Sequence, residues 1–110
     1  MGKINIEDFK KIEIKIGEII SAENIEGSNK LLKLIVNFGE ENNRQVLSGI
    51  ATYFSDATSL IGKKCAFVTN LEPRPMMGMV SEAMILAASS DNSLALFEVP
   101  GEILPGTLVK

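Results

Sequence analysis

The chain has 110 residues, of which 45% are hydrophobic, and 11 Lys and Arg against 14 Asp and Glu give a formal net charge of -3. This length fits a single domain over residues 1–110 with a buried core, and the acidity argues against a protein that holds nucleic acid by bulk positive charge. The single Cys excludes an internal disulfide, and the absence of His excludes Ser-His and Cys-His catalysis and most zinc sites.

The N-terminal residues predict neither a membrane span nor a signal peptide. No apolar run approaches the roughly 20 residues of a transmembrane helix, and residues 1–8 are too charged for a signal sequence. We therefore expect a soluble, cytoplasmic protein without a membrane partner. Residues 4–10 predict a short opening helical turn with Asn5 as its N-cap.

The first strand is predicted by a period of two in β-branched residues. Ile12, Ile14 and Ile16 alternate with polar residues, which is typical of a half-buried strand. We expect the strand to continue to Ala22, with Gly17 at a bulge or sharp bend.

A hairpin is predicted next. Residues 30–38 and 44–50 read as strands, and residues 39–43 between them are polar and turn-like. In the first of these strands, one face is expected to enter the core and carries Leu32, Leu34, Val36 and Phe38.

The second half of the chain predicts one helix and three strands. Apolar residues at helical spacing favour a short helix over 52–61, ending at Gly62. Residues 65–71 predict a fourth strand, residues 72–80 a loop, and residues 83–88 with 94–99 a last hairpin. This order predicts an all-β fold, a five-stranded OB-fold Greek-key barrel with a short helix between strands 3 and 4. An SH3-like barrel is the alternative, and the position of the helix disfavours it.

The chain shows no catalytic constellation. Its carboxylates form no recognisable metal or acid/base motif, and Gly-rich phosphate loops are absent. Cys65 opens an apolar strand and has no His to activate it, so we expect a buried structural thiol. We therefore expect a protein that is not an enzyme and has no metal and no cofactor.

Placed cations are the best candidates for function. Lys30, Lys33, Arg44 and Arg74 lie in or beside predicted strands, and such residues contact phosphates, although each alone is more often a solvated charge. Aromatic residues make up only 5% of the chain, which disfavours a platform on which single-stranded bases stack. Four of the five methionines lie in residues 76–84 and predict either flexible core or an adaptable contact surface.

The same stretch resembles a known signature. Residues 70–84 fit the pattern N-L-x-P-R-x-M-x-G-x-x-S-x-x-M. This pattern is similar to that of the tRNA-binding domain at the C-terminus of bacterial methionyl-tRNA synthetases and of free-standing structure-specific tRNA-binding proteins. Residues 9–17, 26–34 and 44–50 resemble the first, second and third strands of that family.

The resemblance implies an OB-fold that binds tRNA by shape, without catalysis. It further implies a homodimer that is an accessory (beta) subunit of methionyl-tRNA synthetase or a homologue of its C-terminal domain. The implied tRNA-binding residues are Lys30, Lys33, Arg44, Asn70, Arg74, Ser81 and Met84.

One departure from the family limits the strength of the implied tRNA binding. Pro75 and Met77 stand where the family often has basic residues, so we expect modest tRNA binding.

The apolar residues Ile103, Leu104, Leu108 and Val109 are expected to be covered by a twofold partner. A peptide-binding export chaperone like CsaA, which shares the fold, is the alternative.

Overall fold

The computed structural model describes residues 2–110 and begins with the short helix α1 (Ile6–Phe9). Asn5 caps this helix, because its Oδ1 accepts a hydrogen bond of 2.8 Å from the N–H of Asp8. The predicted opening turn and its N-cap are therefore confirmed. None of the helices in residues 2–110 has the length and apolar character needed to cross a membrane.

Strands make up most of the regular structure. In chain order residues 2–110 form β1 (Ile14–Asn24), β2 (Leu32–Asn37), β3 (Arg44–Ser48), β4 (Lys64–Val68), β5 (Arg74–Met76), β6 (Met79–Ser81), β7 (Met84–Ile85), β8 (Ala87–Ser90) and β9 (Ser93–Leu96). Five of them build an antiparallel sheet in the order β3-β2-β1-β4-β7, and contacts between β3 and β7 nearly close it into a barrel. The predicted all-β, OB-like fold is confirmed.

The barrel interior is filled from alternate positions of the strands. Leu32, Leu34, Val36 and Phe38 are all buried, as the period of two predicts. The Phe38 ring packs edge-to-face on Phe67 with centroids 5.1 Å apart. The core of the barrel therefore lies beneath β2, the strand that also carries the candidate cation Lys33.

Gly17 has a different role from the predicted bulge. The irregularity in the pairing of β1 with β2 lies between Ile19 and Ser21. At Gly17 an added Cβ would meet the side chains of Val36 and Phe38. The glycine is therefore required by close packing rather than by a bend.

Three sequence predictions need correction. The segment 52–61 is not one helix but two 3-10 turns, Ala51–Tyr53 and Ala57–Leu60, because the chain is extended at Phe54 and Asp56. The predicted loop 72–80 contains the β5–β6 hairpin, whose two-residue turn has positive φ at both Met77 and Gly78. The last hairpin forms with other bounds than the predicted 83–88 and 94–99, because β8 and β9 extend into the predicted turn and residues 84–85 instead form β7, which pairs with β4.

The C-terminal segment, residues 97–109, lies against β4 through residues 97–99 and against β1 through residues 107–109. The N–H of Ile16 donates to Thr107 at 2.9 Å, and the N–H of Val109 donates to Ile14 at 2.9 Å. Gly106 has φ +89, and an added Cβ would collide with the Phe38 carbonyl oxygen. This close approach of Gly106 to the end of β2 therefore leaves no room for a side chain at position 106.

Candidate nucleic-acid interface

Ser81 joins the β5–β6 hairpin to the edge of β3. Its Oγ accepts a hydrogen bond of 3.0 Å from the N–H of Leu47 and donates one of 3.0 Å to the carbonyl of Ala83. The side chain is buried, with 2% of its surface exposed. Its hydroxyl is therefore used inside the domain.

Gln45 and Glu82 join the same two elements. The side-chain Nε2 of Gln45 donates to the carbonyl of Val80 at 2.9 Å. Its backbone N–H donates to Oε1 of Glu82 at 3.0 Å, and the N–H of Glu82 donates to the Gln45 carbonyl at 2.8 Å. The hairpin is thus held at more than one point along β3.

The guanidinium of Arg44 is engaged within the domain. It makes a two-point ion pair with Glu40, at 2.9 Å and 2.7 Å, and donates to the carbonyls of Thr69 at 2.7 Å and Glu82 at 3.2 Å. It also lies 5.4 Å from the centroid of the Phe38 ring. The hydrogen bond between the pair raises the pKa of Arg44 and lowers the pKa of Glu40. Arg44 therefore links the start of β3 to the segments on either side of the hairpin.

Asn70 is likewise bonded inside the fold. Its Oδ1 accepts a hydrogen bond of 2.7 Å from the N–H of Glu13, and its Nδ2 donates one of 2.7 Å to the carbonyl of Lys11. These bonds tie the segment between α1 and β1 to the chain that follows β4.

Two of the three remaining basic candidates point to solvent, and the third is paired with a carboxylate. Lys30 and Arg74 are exposed, and within residues 2–110 neither side chain has an ion-pair or hydrogen-bond partner. The side chain of Lys33 is 31% exposed, and its Nζ lies 3.1 Å from Oε1 of Glu23 on the neighbouring strand. We call Lys30, Lys33 and Arg74 the cationic rim.

Strand pairing and one side-chain hydrogen bond connect two residues of the cationic rim, Lys33 and Arg74, through β3. Lys33 is opposite Leu47, Leu47 is bonded to Ser81, and Ser81 is opposite Arg74. Two cross-strand pairs and this hydrogen bond place the backbones of Lys33 and Arg74 within roughly 20 Å of each other. Basic side chains at this spacing can contact separate phosphates of one folded nucleic acid.

The hairpin tip lies beside the turn that leads to Lys30. Met77 is 55% exposed with φ 49, and its Cε would be 3.7 Å from a Cβ added at Gly27. Met84 lies elsewhere, half-buried on β7 and opposite Val68 of β4. Met84 therefore belongs to the wall of the barrel rather than to the cationic rim.

Sequence reasoning missed Gln45, Glu82 and Glu23. The pairing of Glu23 with Lys33 follows from the cross-strand register, which the sequence did not define at residue level. Gln45 and Glu82 carried no signal, because their bonds join segments 37 residues apart.

Cys65 is the predicted buried thiol. Its side chain is inaccessible, and burial, with a smaller effect from Glu98, raises its pKa to about 11. The thiolate is therefore scarce at neutral pH, and the thiol is a poor nucleophile. In the part of the chain that the structure describes, His, Cys, Asp and Glu form no group of three or more that could hold a metal.

An apolar groove lies on the outer surface of β1 and β4. It encloses about 370 Å³. Its lining includes Ile14, Ile16, Ala66, Phe97 and Val109. Nearby on the chain, Leu104 is 70% and Leu108 57% exposed, whereas Ile103 is half-buried.

Comparisons with known proteins give a consistent picture. The family model described as "Putative tRNA binding domain" matches residues 14–108. A methionine–tRNA ligase from Enterococcus faecalis is 44% identical over 105 residues, which are 94% of this chain and 16% of that protein. This chain therefore spans about one sixth of the length of the curated relatives it matches.

Solved structures resemble the whole chain. A MetRS-related protein from Pyrococcus horikoshii superposes with a TM-score of 0.92 at 35% identity, covering 100% of both chains. The chaperone CsaA from Bacillus anthracis superposes with a TM-score of 0.86 at 25% identity, covering 99% of this chain and 100% of that one.

Proposed function

Because the chain belongs to the tRNA-binding domain family, we propose that it binds folded tRNA and catalyses no reaction of its own. The observation that carries the proposal is the match of residues 14–108 to the tRNA-binding family model. The exposed Lys30 and Arg74 and the half-buried Lys33 supply cations for phosphate contacts. Phosphate contacts of this kind fix a protein on nucleic acid without reading base sequence. Recognition is then by the shape of the tRNA backbone.

The seven candidate residues divide into three roles in this proposal. Lys30, Lys33 and Arg74 contact phosphates. Arg44, Asn70 and Ser81 support the surface from within, because their polar groups are bonded inside the domain. Met84 would supply an apolar contact at the edge of the barrel.

We further propose that the domain works as a homodimeric accessory subunit of methionyl-tRNA synthetase, or as the equivalent part of a longer chain. The apolar groove and the exposed Leu104 and Leu108 support a second copy as the covering partner. The groove lies on β1 and β4, so the cationic rim, on β2, the turn before it and the β5–β6 hairpin, would remain free. Sedimentation at micromolar concentration tests this arrangement, and a monomeric mass would contradict it.

Filter binding with a folded tRNA transcript tests the main proposal. We expect retention at low salt that weakens as salt rises, because each phosphate contact releases counterions. Arg74→Ala should weaken binding about three- to tenfold, which corresponds to roughly 1 kcal/mol for a single interaction with phosphate. Lys3→Ala is the matched control, since it removes one exposed cation from the N-terminal segment. No retention, or equally weakened binding by the two variants, would contradict the proposal.

Peptide binding is the second candidate, favoured by the similarity to CsaA together with the apolar groove. It predicts that the protein suppresses aggregation of an unfolded substrate and that added tRNA does not compete. Competition by tRNA would instead favour the main proposal.

A further inference from the structure

We propose that Gln45 is a positioning residue for tRNA binding, which fixes the angle of the β5–β6 hairpin and thereby the place of Arg74. The inference rests on the proposed function, because Arg74 is its phosphate contact. Gln45 is not itself in the cationic rim. It acts through the carbonyl of Val80.

The hairpin needs an external support. Its two strands have three residues each, and a two-stranded hairpin of this size is marginally stable on its own. Arg74 is on β5, and its pairing partner Ser81 on β6 is the residue bonded to β3. The attachment of β6 to β3 therefore determines the position of Arg74.

Gln45 supplies a second attachment point along β6. The bonds of Ser81 and Glu82 hold the base of the hairpin, where the chain returns to the barrel. The side-chain amide of Gln45 reaches the carbonyl of Val80, one residue closer to the turn. A hairpin attached only at its base can rotate about that base. A second hydrogen bond nearer the turn restricts this rotation.

The tip gives little further restraint. Met77 is 55% exposed, and its contact with the turn at Gly27 is made by the terminal methyl group of a flexible side chain. Without the Gln45 amide, the hairpin would sample several angles in free protein. Ordering Arg74 on binding would then cost affinity.

A double-mutant cycle on the full chain tests this role. The four proteins are wild type, Gln45→Met, Arg74→Ala and the double variant, assayed by filter binding with one folded tRNA transcript at fixed low salt. Met keeps the length of the Gln side chain and cannot donate to Val80. When Arg74 is present, we expect Gln45→Met to weaken tRNA binding about threefold to tenfold, which is the range of the entropic cost of immobilising one long side chain. In the Arg74→Ala background it should have no further effect.

Two controls separate positioning from general damage. Thr58→Val also deletes one side-chain hydrogen bond, that of Thr58 Oγ1 with Asp56, in a 3-10 turn that packs on β1. It should leave tRNA binding unchanged. Thermal unfolding confirms that each variant is folded at the assay temperature, and Gln45→Ala replaces Gln45→Met if the latter is not.

The outcomes are distinguishable. An equal decrease in affinity from Gln45→Met in both backgrounds, or no decrease in either, would overturn the positioning role. If wild type binds tRNA but Arg74→Ala is neutral, the positioning role fails while tRNA binding stands. If wild type retains no tRNA, the proposed function itself fails.

Discussion

Two arginines of the same surface illustrate how differently one residue type is used. Arg44 at the start of β3 has its guanidinium bonded to Glu40 and to two backbone carbonyls. Arg74 at the start of β5 is exposed, and its guanidinium has no bonded partner within residues 2–110. Both belong to segments that resemble one family, so a shared motif does not imply a shared role. The acceptors within reach decide whether a cation stabilises the fold or is free to bind a ligand.

Removing the inner arginine should have the largest effect on stability. Arg44→Ala leaves the carbonyls of Thr69 and Glu82 without this donor and Glu40 without its partner. We expect a decrease of about 2–3 kcal/mol in the free energy of unfolding, as for hydrogen bonds to charged groups. Denaturant titration measures this value.

Arg74, the exposed arginine, provides the control for the Arg44→Ala measurement. Arg74→Ala should change the free energy of unfolding by less than about 0.5 kcal/mol, as for a surface residue without partners. Equal destabilisation by the two variants would show that the contrast between the arginines is wrong.

Ser81 extends the comparison to a neutral side chain. Ser81→Ala removes the acceptor of the buried Leu47 N–H, and we expect a decrease of about 1–2 kcal/mol in the free energy of unfolding. Ser89→Ala, on the exposed strand β8, should have almost no effect. If Ser81→Ala kept full stability but no longer bound tRNA, Ser81 would be a direct contact instead.

The Glu40–Arg44 pair should also appear in the pH dependence of stability. The hydrogen bond from Arg44 lowers the pKa of Glu40 below 4.5. Glu40 therefore contributes stability that is present above pH 4.5 and is lost as pH falls through the lowered pKa. The contribution is at most about 1 kcal/mol, because the pair is partly screened by solvent.

Unfolding of Glu40→Gln compared with wild type measures this contribution. At pH 7 the variant should be less stable, and the difference should shrink as pH falls below 4.5 through the lowered pKa of Glu40. A difference that stays constant as pH falls through the acidic range would show that the charge of Glu40 contributes nothing.

The fold could be predicted from sequence wherever a local pattern decides it. Leu32, Leu34 and Val36 defined a core face because one strand has a period of two. The β5–β6 hairpin was missed because Met77 occupies a positive-φ position that Gly or Asn usually marks.

The internal roles of candidate residues could not be predicted for a different reason. The bonds of Asn70 to Lys11 and Glu13 span 59 and 57 residues, and no local pattern encodes such distances. Composition and motif identified the polar residues of this surface. Only tertiary structure separates those bonded inward from those exposed.

Lys33 is intermediate between the two arginines and gives the smallest predicted effect. Its ammonium is 3.1 Å from the carboxylate of Glu23, which competes with any incoming phosphate. Glu23→Gln should therefore increase tRNA affinity about twofold, since an exposed ion pair is worth about 0.5 kcal/mol. Filter binding at low salt measures the change.

Glu41→Gln is the matched control, because it removes the same charge from the exposed turn between β2 and β3. A gain confined to Glu23→Gln would mean that the carboxylate acts locally, by occupying the ammonium that a phosphate would otherwise contact. An equal gain from both variants would instead reflect the net charge of -3, and Lys33 would then be no more restrained than Lys30 or Arg74. The local effect should fade as salt rises, since the same screening weakens the ion pair and the phosphate contact together.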